Sequence, residues 1–308
     1  MTPQDAKSAH LSESTFTPEN TRRILEIACR IAGFDISAAE VIRHHTNAVY
    51  LLNTEPIVVK IGRPGHDGHI DVVGLVRWLQ QQAVPSVSLV DTEQPLLIAG
   101  CPVTFWRYLD QQDGIVNAAE LANPLTKLHL CRTAVPVTLP AHQIVYTFNA
   151  ISEAIDTNTI LSAQDRRLLH ERREQLAERT DDIQWALPPG LIHGDAHHRN
   201  ALWDASNRRA VLADWESAAI GPPEWDLTTL EVHCRRFGHP ADEYDQFARS
   251  YGFDIRDWSG YPWLRDLREL RMITTNARKS ARDSSTAAEV LRRIEALKVN
   301  AEIVWNIL

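Results

Sequence analysis

The sequence predicts an α+β fold of two lobes: a small lobe with a five-stranded antiparallel sheet plus a helix, and a larger, mostly helical lobe. Three observations carry this. The 308 residues exceed the roughly 250–300 at which a single hydrophobic core stops growing. Residues 40–109 are short β-rich runs broken by one helical stripe. Beyond Leu109 nearly every periodic stretch has helical spacing.

Residues 1–16 show no periodicity and read as a mobile tail. Thr17 and Pro18 open a helix as N-cap and first-turn proline, and its stripe of Ile24, Leu25, Ala28, Cys29, Ile31 and Ala32 ends at Gly33. Glu40–His44, Ala48–Leu52 and Ile57–Ile61 read as strands with polar turns between them. A helix follows over Ile70–Ala83, with Val72, Val73, Val76 and Leu79 on one face. Leu96–Ile98 and Val103–Leu109, joined by Ala99-Gly100, complete a meander. The helical part comprises Asn117–Leu130, Ala163–Arg179, Trp225–Arg236, Asp242–Tyr251, Leu264–Arg282 and Ser285–Leu308. Two apolar pairs, Leu191–Ile192 and Val211–Leu212, flank a polar loop within it.

The chain carries 32 basic and 40 acidic residues, net −8, without the basic excess that nucleic-acid binding uses to neutralise phosphates. No stretch approaches the ~20 apolar residues of a membrane span. The polar N-terminus lacks the apolar core of a secretory signal, so a cytoplasmic protein is expected. Cys29, Cys101, Cys131 and Cys234 are widely spaced and read as reduced thiols.

The chemistry concentrates in Leu191-Ile192-His193-Gly194-Asp195-Ala196-His197-His198-Arg199-Asn200, followed by Ala213-Asp214-Trp215-Glu216. Two carboxylates and a carboxamide converge on one turn and hairpin. Mg²⁺ takes hard oxygen ligands, a role that suits Asn200 and Asp214 and leaves Asp195 to orient or deprotonate an attacking hydroxyl. A zinc reading of His193, His197 and His198 is disfavoured, because Gly194 interrupts any helix that would align them and no Cys is nearby.

This pattern resembles the aminoglycoside phosphotransferase and choline-kinase-like family, whose signature is His-Gly-Asp-x-His-x-x-Asn followed by an Asp-centred metal motif. Leu125-Thr126-Lys127-Leu128-His129 and Gly221-Pro222-Pro223-Glu224-Trp225-Asp226-Leu227 resemble two further segments of it. The resemblance implies a two-lobed, protein-kinase-like fold: a nucleotide-binding lobe over 17–105, a hinge over 106–110 and an acceptor-binding lobe over 111–308. It implies that Lys60 binds nucleotide phosphates, with an acidic partner for which Asp71 is the best candidate. Asp195 would be catalytic, Asn200 and Asp214 would hold Mg²⁺, and His193, His197 and Asp226 would support the loop. Phe105, Trp106, Arg107 and Tyr108 would contact the base, although aromatic residues such as Trp106 and Tyr108 are more often packing residues than base stackers.

There are departures from the family pattern. Arg199 replaces a small residue and either reaches a phosphate or faces solvent; Glu216 is either metal-proximal or a structural or substrate-facing carboxylate. The turn at His45-Thr46-Asn47 has no glycine, so phosphate contacts there fall to Thr46 and backbone amides. Asp226 follows Asp214 by only twelve positions, too few for the activation segment of a protein kinase, so a small-molecule acceptor is expected.

The implied activity is transfer of the γ-phosphate of ATP or GTP to a hydroxyl of a small molecule, an antibiotic first, a sugar, amino-sugar or choline-like metabolite second. A catalytically silent nucleotide-binding module is the reading of another class. Acceptor charge stays open, because residues 213–260 carry ten acids against four bases whereas Arg265, Arg268, Arg271, Arg278, Lys279 and Arg282 form a basic run immediately after.

Overall fold

The computed structural model describes residues 16–65, 71–111, 114, 116–131, 133–280 and 284–308, except the side chains of Lys279 and Ser280. The expected tail over 1–15, the helix start at Ile70 and the basic residue Arg282 lie outside these residues. The chain forms two compact units: the first takes in the described residues up to Gly114 together with Thr133–Leu139 and Leu202–Glu216, and the second holds the remainder.

The first unit opens with α1 (Pro18–Ala32), capped by the Thr17 hydroxyl and closed by Gly33 in the left-handed region at φ +79°. Phe16, assigned to the tail from sequence, is instead buried beside the His44 ring at 5.1 Å and under the Arg63 guanidinium at 4.7 Å. Five antiparallel strands follow: β1 (Ala39–His44), β2 (Ala48–Leu52), β3 (Ile57–Ile61), β4 (Leu96–Ile98) and β5 (Cys101–Arg107).

Their order is β1-β2-β3-β5-β4, so the expected meander is modified. The long β5 takes the place beside β3, and three-residue β4 becomes a short edge strand of the kind that limits edge-to-edge association. Ala99 and Gly100, at φ +51° and +74°, make the tight two-residue turn between them. Val59 and Ile61 bury against the α1 side, together with Leu25 and Cys29. Strand alternation therefore turns Lys60 to the opposite face.

Between β3 and β4 lies α2 (Val72–Gln81), which buries Val73, Leu75, Val76, Trp78 and Leu79. A hairpin, β7 (Ala201–Asp204) and β8 (Arg209–Leu212), lies almost wholly in this unit. Leu212 docks on the segment after α2, donating to Pro85 O at 3.0 Å and accepting from Val87 N at 2.9 Å. Those bonds fix the position of the chain entering Asp214.

The second unit contains α3 (Ala118–Leu130), α4 (Ile144–Asp156), α5 (Ala163–Glu178), α6 (Glu224–Arg236), α7 (Glu243–Tyr251), α8 (Tyr261–Ser280) and α9 (Ser284–Lys298). Its two-stranded ladder pairs β6 (Gly190–Ile192) with β9 (Ala219–Gly221). Helix α4 went unread in the sequence. It begins on β-branched Ile144 and Val145 after Gln143, which provides no side-chain cap, so only its buried stripe of Phe148, Ile151 and Ile155 marks it.

The last predicted helix also ends early, at Lys298 and not Leu308. Asn300 takes a left-handed φ of +50° and turns the chain back. Trp305 is then buried beneath the guanidinium groups of Arg293 and Arg236, 4.4 and 5.2 Å from its ring. Among the described residues, no helix is long and apolar enough to cross a membrane.

Candidate active site

Each unit carries one group of candidate residues. In the first, Lys60 is largely buried, and its ammonium donates to Asp214 Oδ1 at 2.6 Å and to Glu216 Oε1. Burial by itself lowers the lysine pKa, but the two carboxylates outweigh it and the net direction is upward. Burial likewise raises a carboxyl pKa, yet Lys60 brings Asp214 down to about 2. Glu216 shifts upward instead, through desolvation first and the adjacent negative Asp214 as a further cause. Asp214 sits at φ +66°, a left-handed conformation that Asp tolerates better than most residues. The strain belongs to the short loop that turns its carboxylate toward the lysine.

Asp71 is not the partner the sequence suggested for Lys60. Its carboxylate caps α2, accepting the Gly74 N–H at 2.8 Å, the ordinary use of an Asp one residue before a helix. Glu216, left open between roles, takes the lysine instead. Thr46 is exposed in the turn after β1.

In the segment expected to contact the base, several donors are already taken. Phe105 is fully buried, donates its N–H to Gln94 Oε1 at 2.8 Å and accepts from Val90 N at 3.0 Å. Arg107 N–H goes to Ser88 O and Tyr108 N–H to Pro56 O, each at 2.8 Å. These three donors serve the unit itself and are not offered to a purine. The Trp106 indole N–H is likewise taken, by the Thr104 hydroxyl at 2.8 Å.

Gln111, unremarked in the sequence, fixes the segment after β5. Its amide donates to Leu109 O at 3.0 Å and Trp203 O at 3.1 Å, and accepts from Trp203 N at 2.9 Å.

In the second unit the loop after β6 is built around Asp226, which is fully buried at the start of α6. Its two oxygens accept the N–H groups of His193 and Gly194 at 2.7 and 2.8 Å, and His129 Nε2 lies 3.1 Å away. Burial favours the neutral acid, but His129 and the loop amide reverse that and hold Asp226 ionised. Gly194 is needed: it sits at φ +82°, and a Cβ there would lie 2.0 Å from Ser217 O. Trp225 Nε1 donates to Gly194 O at 2.9 Å and pins the loop from the other side.

That loop presents Asp195. Asn200 Nδ2 donates to Asp195 O at 2.9 Å and Oδ2 at 3.1 Å, while His197 Nε2 stands 3.4 Å and Arg268 Nη2 3.5 Å from the carboxylate. Burial works to raise its pKa; the His197 hydrogen bond and charge, then Arg268, carry it far below the usual carboxylate range. An anion so stabilised is a weak base, suited to orienting a hydroxyl more than to stripping it of its proton early. Arg199 is exposed.

Sequence reasoning missed the layer behind this loop. Arg268 lies over the Trp225 ring at 4.6 Å, His142 packs on the same indole at 4.1 Å, and His233 stacks on His197 at 4.2 Å. Only the spacing of Arg268 on its helix was visible. His198, His239 and Glu243 also gather closely, the carboxylate accepting from both rings at 2.8 and 3.1 Å. Those rings stack face to face at 3.9 Å, so their in-plane nitrogens do not aim at one common metal position.

Burial first, and Arg268 second, hold the His142 pKa down to about 4. Unfolding restores a value near 6.5, so the unfolded chain binds the extra proton and stability falls as pH drops from 6.5 toward 4. At pH 5 this group is expected to remove about 2 kcal/mol relative to neutrality. His142→Phe, which keeps the ring on Trp225, should make that part of the Tm–pH curve shallower in thermal melts, the remaining slope coming from the likewise depressed His198 and His233.

Comparison with known proteins agrees with this architecture. The model of the phosphotransferase enzyme family, APH, matches residues 38–267. No curated protein sequence matches the chain. Amicoumacin kinase hAmiN, solved in complex with AMP-PNP, Ca²⁺ and Ami, superposes with a TM-score of 0.70 at 12% identity, over 94% of this chain and 96% of that one. Spectinomycin phosphotransferase APH(9)-Ia bound to AMP gives 0.67 at 14% identity over 90% and 94%, respectively. A choline/ethanolamine kinase family protein from Mesorhizobium loti gives 0.62 at 18% identity over 89% and 94%.

The fold is thus the two-lobed, protein-kinase-like one of small-molecule kinases. The chain belongs to the phosphotransferase enzyme family and is a kinase that moves phosphate from a nucleotide to a hydroxyl of a small molecule.

Proposed function

We propose that Asp195 orients the acceptor hydroxyl for attack on the γ-phosphate of ATP or GTP, with Lys60 on the nucleotide phosphates and Asn200 and Asp214 as the ligands of Mg²⁺. The observation that carries this reading is the Asp195 carboxylate, surrounded by Asn200, His197 and Arg268 on a loop that Asp226 clamps by two backbone hydrogen bonds.

The residues suit a magnesium ion. Asp214 and Glu216 are hard oxygen donors already gathered on one cation, Lys60. The Asn200 amide nitrogen is spent on Asp195, which leaves its carbonyl oxygen as the ligating end. Bound Mg²⁺ supplies charge neutralisation on the phosphates. The protein's own part is positioning: Lys60 holds phosphate oxygens, Asp195 aligns the hydroxyl and accepts its proton late, and Asp226 keeps the loop in shape. Phosphoryl transfer needs little more from side chains.

Lys60→Met is expected to cut kcat/KM for the nucleotide about 10²-fold or more, through loss of a phosphate contact in a desolvated site. Steady-state kinetics with ATP and GTP varied separately checks this; unchanged kinetics with both would remove Lys60 from the nucleotide site.

An antibiotic acceptor is the first reading, supported by the likeness to hAmiN and APH(9)-Ia. A metabolite acceptor is the second, supported by the choline/ethanolamine kinase relative and by Arg268 beside Asp195. Labelled transfer to a panel containing both classes, with Mg²⁺ and with EDTA, separates them.

A further inference from the structure

We propose that the acceptor carries an oxyanion, a carboxylate or a phosphate, and that Arg268 and Arg271 on α8 receive it beside Asp195. The proposal rests on Asp195 being the catalytic carboxylate and adds the chemical class of what it phosphorylates.

The sequence left acceptor charge open between an acidic segment and a basic run, and the contacts now separate the two. The acids of the segment are largely committed. Glu224 accepts the Ala186 and Leu187 N–H groups at 2.7 Å, and Glu243 holds two histidines. Glu231 faces Arg235 at 3.2 Å, while Asp245 and Asp254 face Arg256 at 2.7 and 2.6 Å. These carboxylates are poorly placed to greet a polyamine.

The basic run is different in its middle. Arg265 pairs with Asp266 at 2.7 Å and Arg278 with Glu153 at 2.6 Å, so the described arginines on either side of the middle pair are neutralised. Arg268, only 6% exposed, reaches one Asp195 oxygen at a long 3.5 Å, and its Nε has no hydrogen-bond partner among the described residues. Arg271, one helical turn on and on the same face, has its Nη1 buried without a partner among the described residues. Desolvation and the nearby Arg268 and Arg278 charges lower the Arg271 pKa, a positive environment that an incoming anion would relieve.

A buried guanidinium with unused N–H groups is costly unless something accepts from it. Guanidinium forks match carboxylate and phosphate oxygens in geometry and charge. A polycation would instead meet Arg268 and Arg271 head-on, and the like charges disfavour it.

The test uses the full chain with its nucleotide site filled by saturating Mg²⁺ and AMP-PNP. Four probes share a three-carbon hydroxylated skeleton: glycerate, glycerol 3-phosphate, glycerol and 3-amino-1,2-propanediol. Binding is read by calorimetry. At least one anionic probe should bind about tenfold or more tighter than the neutral and ammonium probes. Tighter glycerate points to a hydroxy acid, tighter glycerol 3-phosphate to a phosphate monoester.

Arg271→Met should abolish the preference and Arg271→Lys restore part of it, while AMP-PNP binding stays unchanged. Arg268 is not the variant of choice, because it also contacts Asp195. Equal binding of all four probes, preference for the ammonium probe, or an anionic preference that survives Arg271→Met overturns the inference. Loss of AMP-PNP binding in the unmodified protein is a different failure and strikes the kinase reading itself.

Discussion

Asp195→Asn is expected to lower the rate of phosphoryl transfer by about 10³-fold or more while leaving nucleotide affinity within a factor of about two. Asn keeps the volume and still accepts one hydrogen bond from Asn200, so the loop should survive. What it removes is the negative charge that Arg268 and His197 surround. The hydroxyl then lacks its anionic acceptor, and a neutral carboxamide cannot take the proton as transfer completes. Since those two partners keep the Asp195 pKa far below neutrality, the wild-type rate should show no inflection from this group near neutral pH. Single-turnover rates alongside equilibrium nucleotide binding would separate the two effects. Retained turnover in the variant would transfer the central role to another residue.

Asp226→Asn should have the largest effect on stability. The carboxylate is fully buried and accepts two loop N–H groups while facing His129. In the amide, an NH₂ group must point at one of those donors. Breaking a buried charged network in this manner costs about 3–5 kcal/mol. Denaturant unfolding should register the loss, and transfer should fall with it, because Gly194 and Asp195 lose the clamp that shapes their turn. The folded pKa of Asp226 is depressed, so its contribution is present above the unfolded carboxylate range and is lost as pH falls through the folded value. The Asp226→Asn variant should therefore lose part of the wild-type sensitivity to acid. An Asp226→Asn protein as stable as wild type would mean that the loop is held by its other contacts, the Trp225 indole foremost.

Much of this arrangement was legible before the structure, for local reasons. Strand alternation around Val59, Lys60 and Ile61 already separates a core face from a lysine face. His193 to Asn200, and Asp214 beyond, follow one another closely enough for a motif to be read. The partner of Lys60 was misread because proximity in sequence favoured Asp71, whereas a carboxylate one residue before a helix finds the helix amides first. Glu216, 156 residues away along the chain, wins through tertiary placement.

Strand order failed for a similar reason: a pattern of alternation identifies strands but does not say that β5 will displace β4 beside β3. Arg268, His142 and His233 lay beyond reach, since nothing in helical spacing reveals which ring or carboxylate a distant helix will meet. Arg268 carried the strongest clue, its alignment with Arg265 and Arg271 on one face. Only the committed acids and the unmatched guanidinium groups give that face a meaning.

The most direct measurement is transfer of label from γ-labelled ATP, and separately GTP, to a pooled set of hydroxylated acceptors with Mg²⁺. The pool would include antibiotics, amino-alcohols, sugars, hydroxy acids and phosphate monoesters, with Asp195→Asn as control. A labelled small molecule formed by the wild type, absent with EDTA and absent in the control, is the predicted result. Transfer that persists undiminished in Asp195→Asn, or in EDTA, would contradict it.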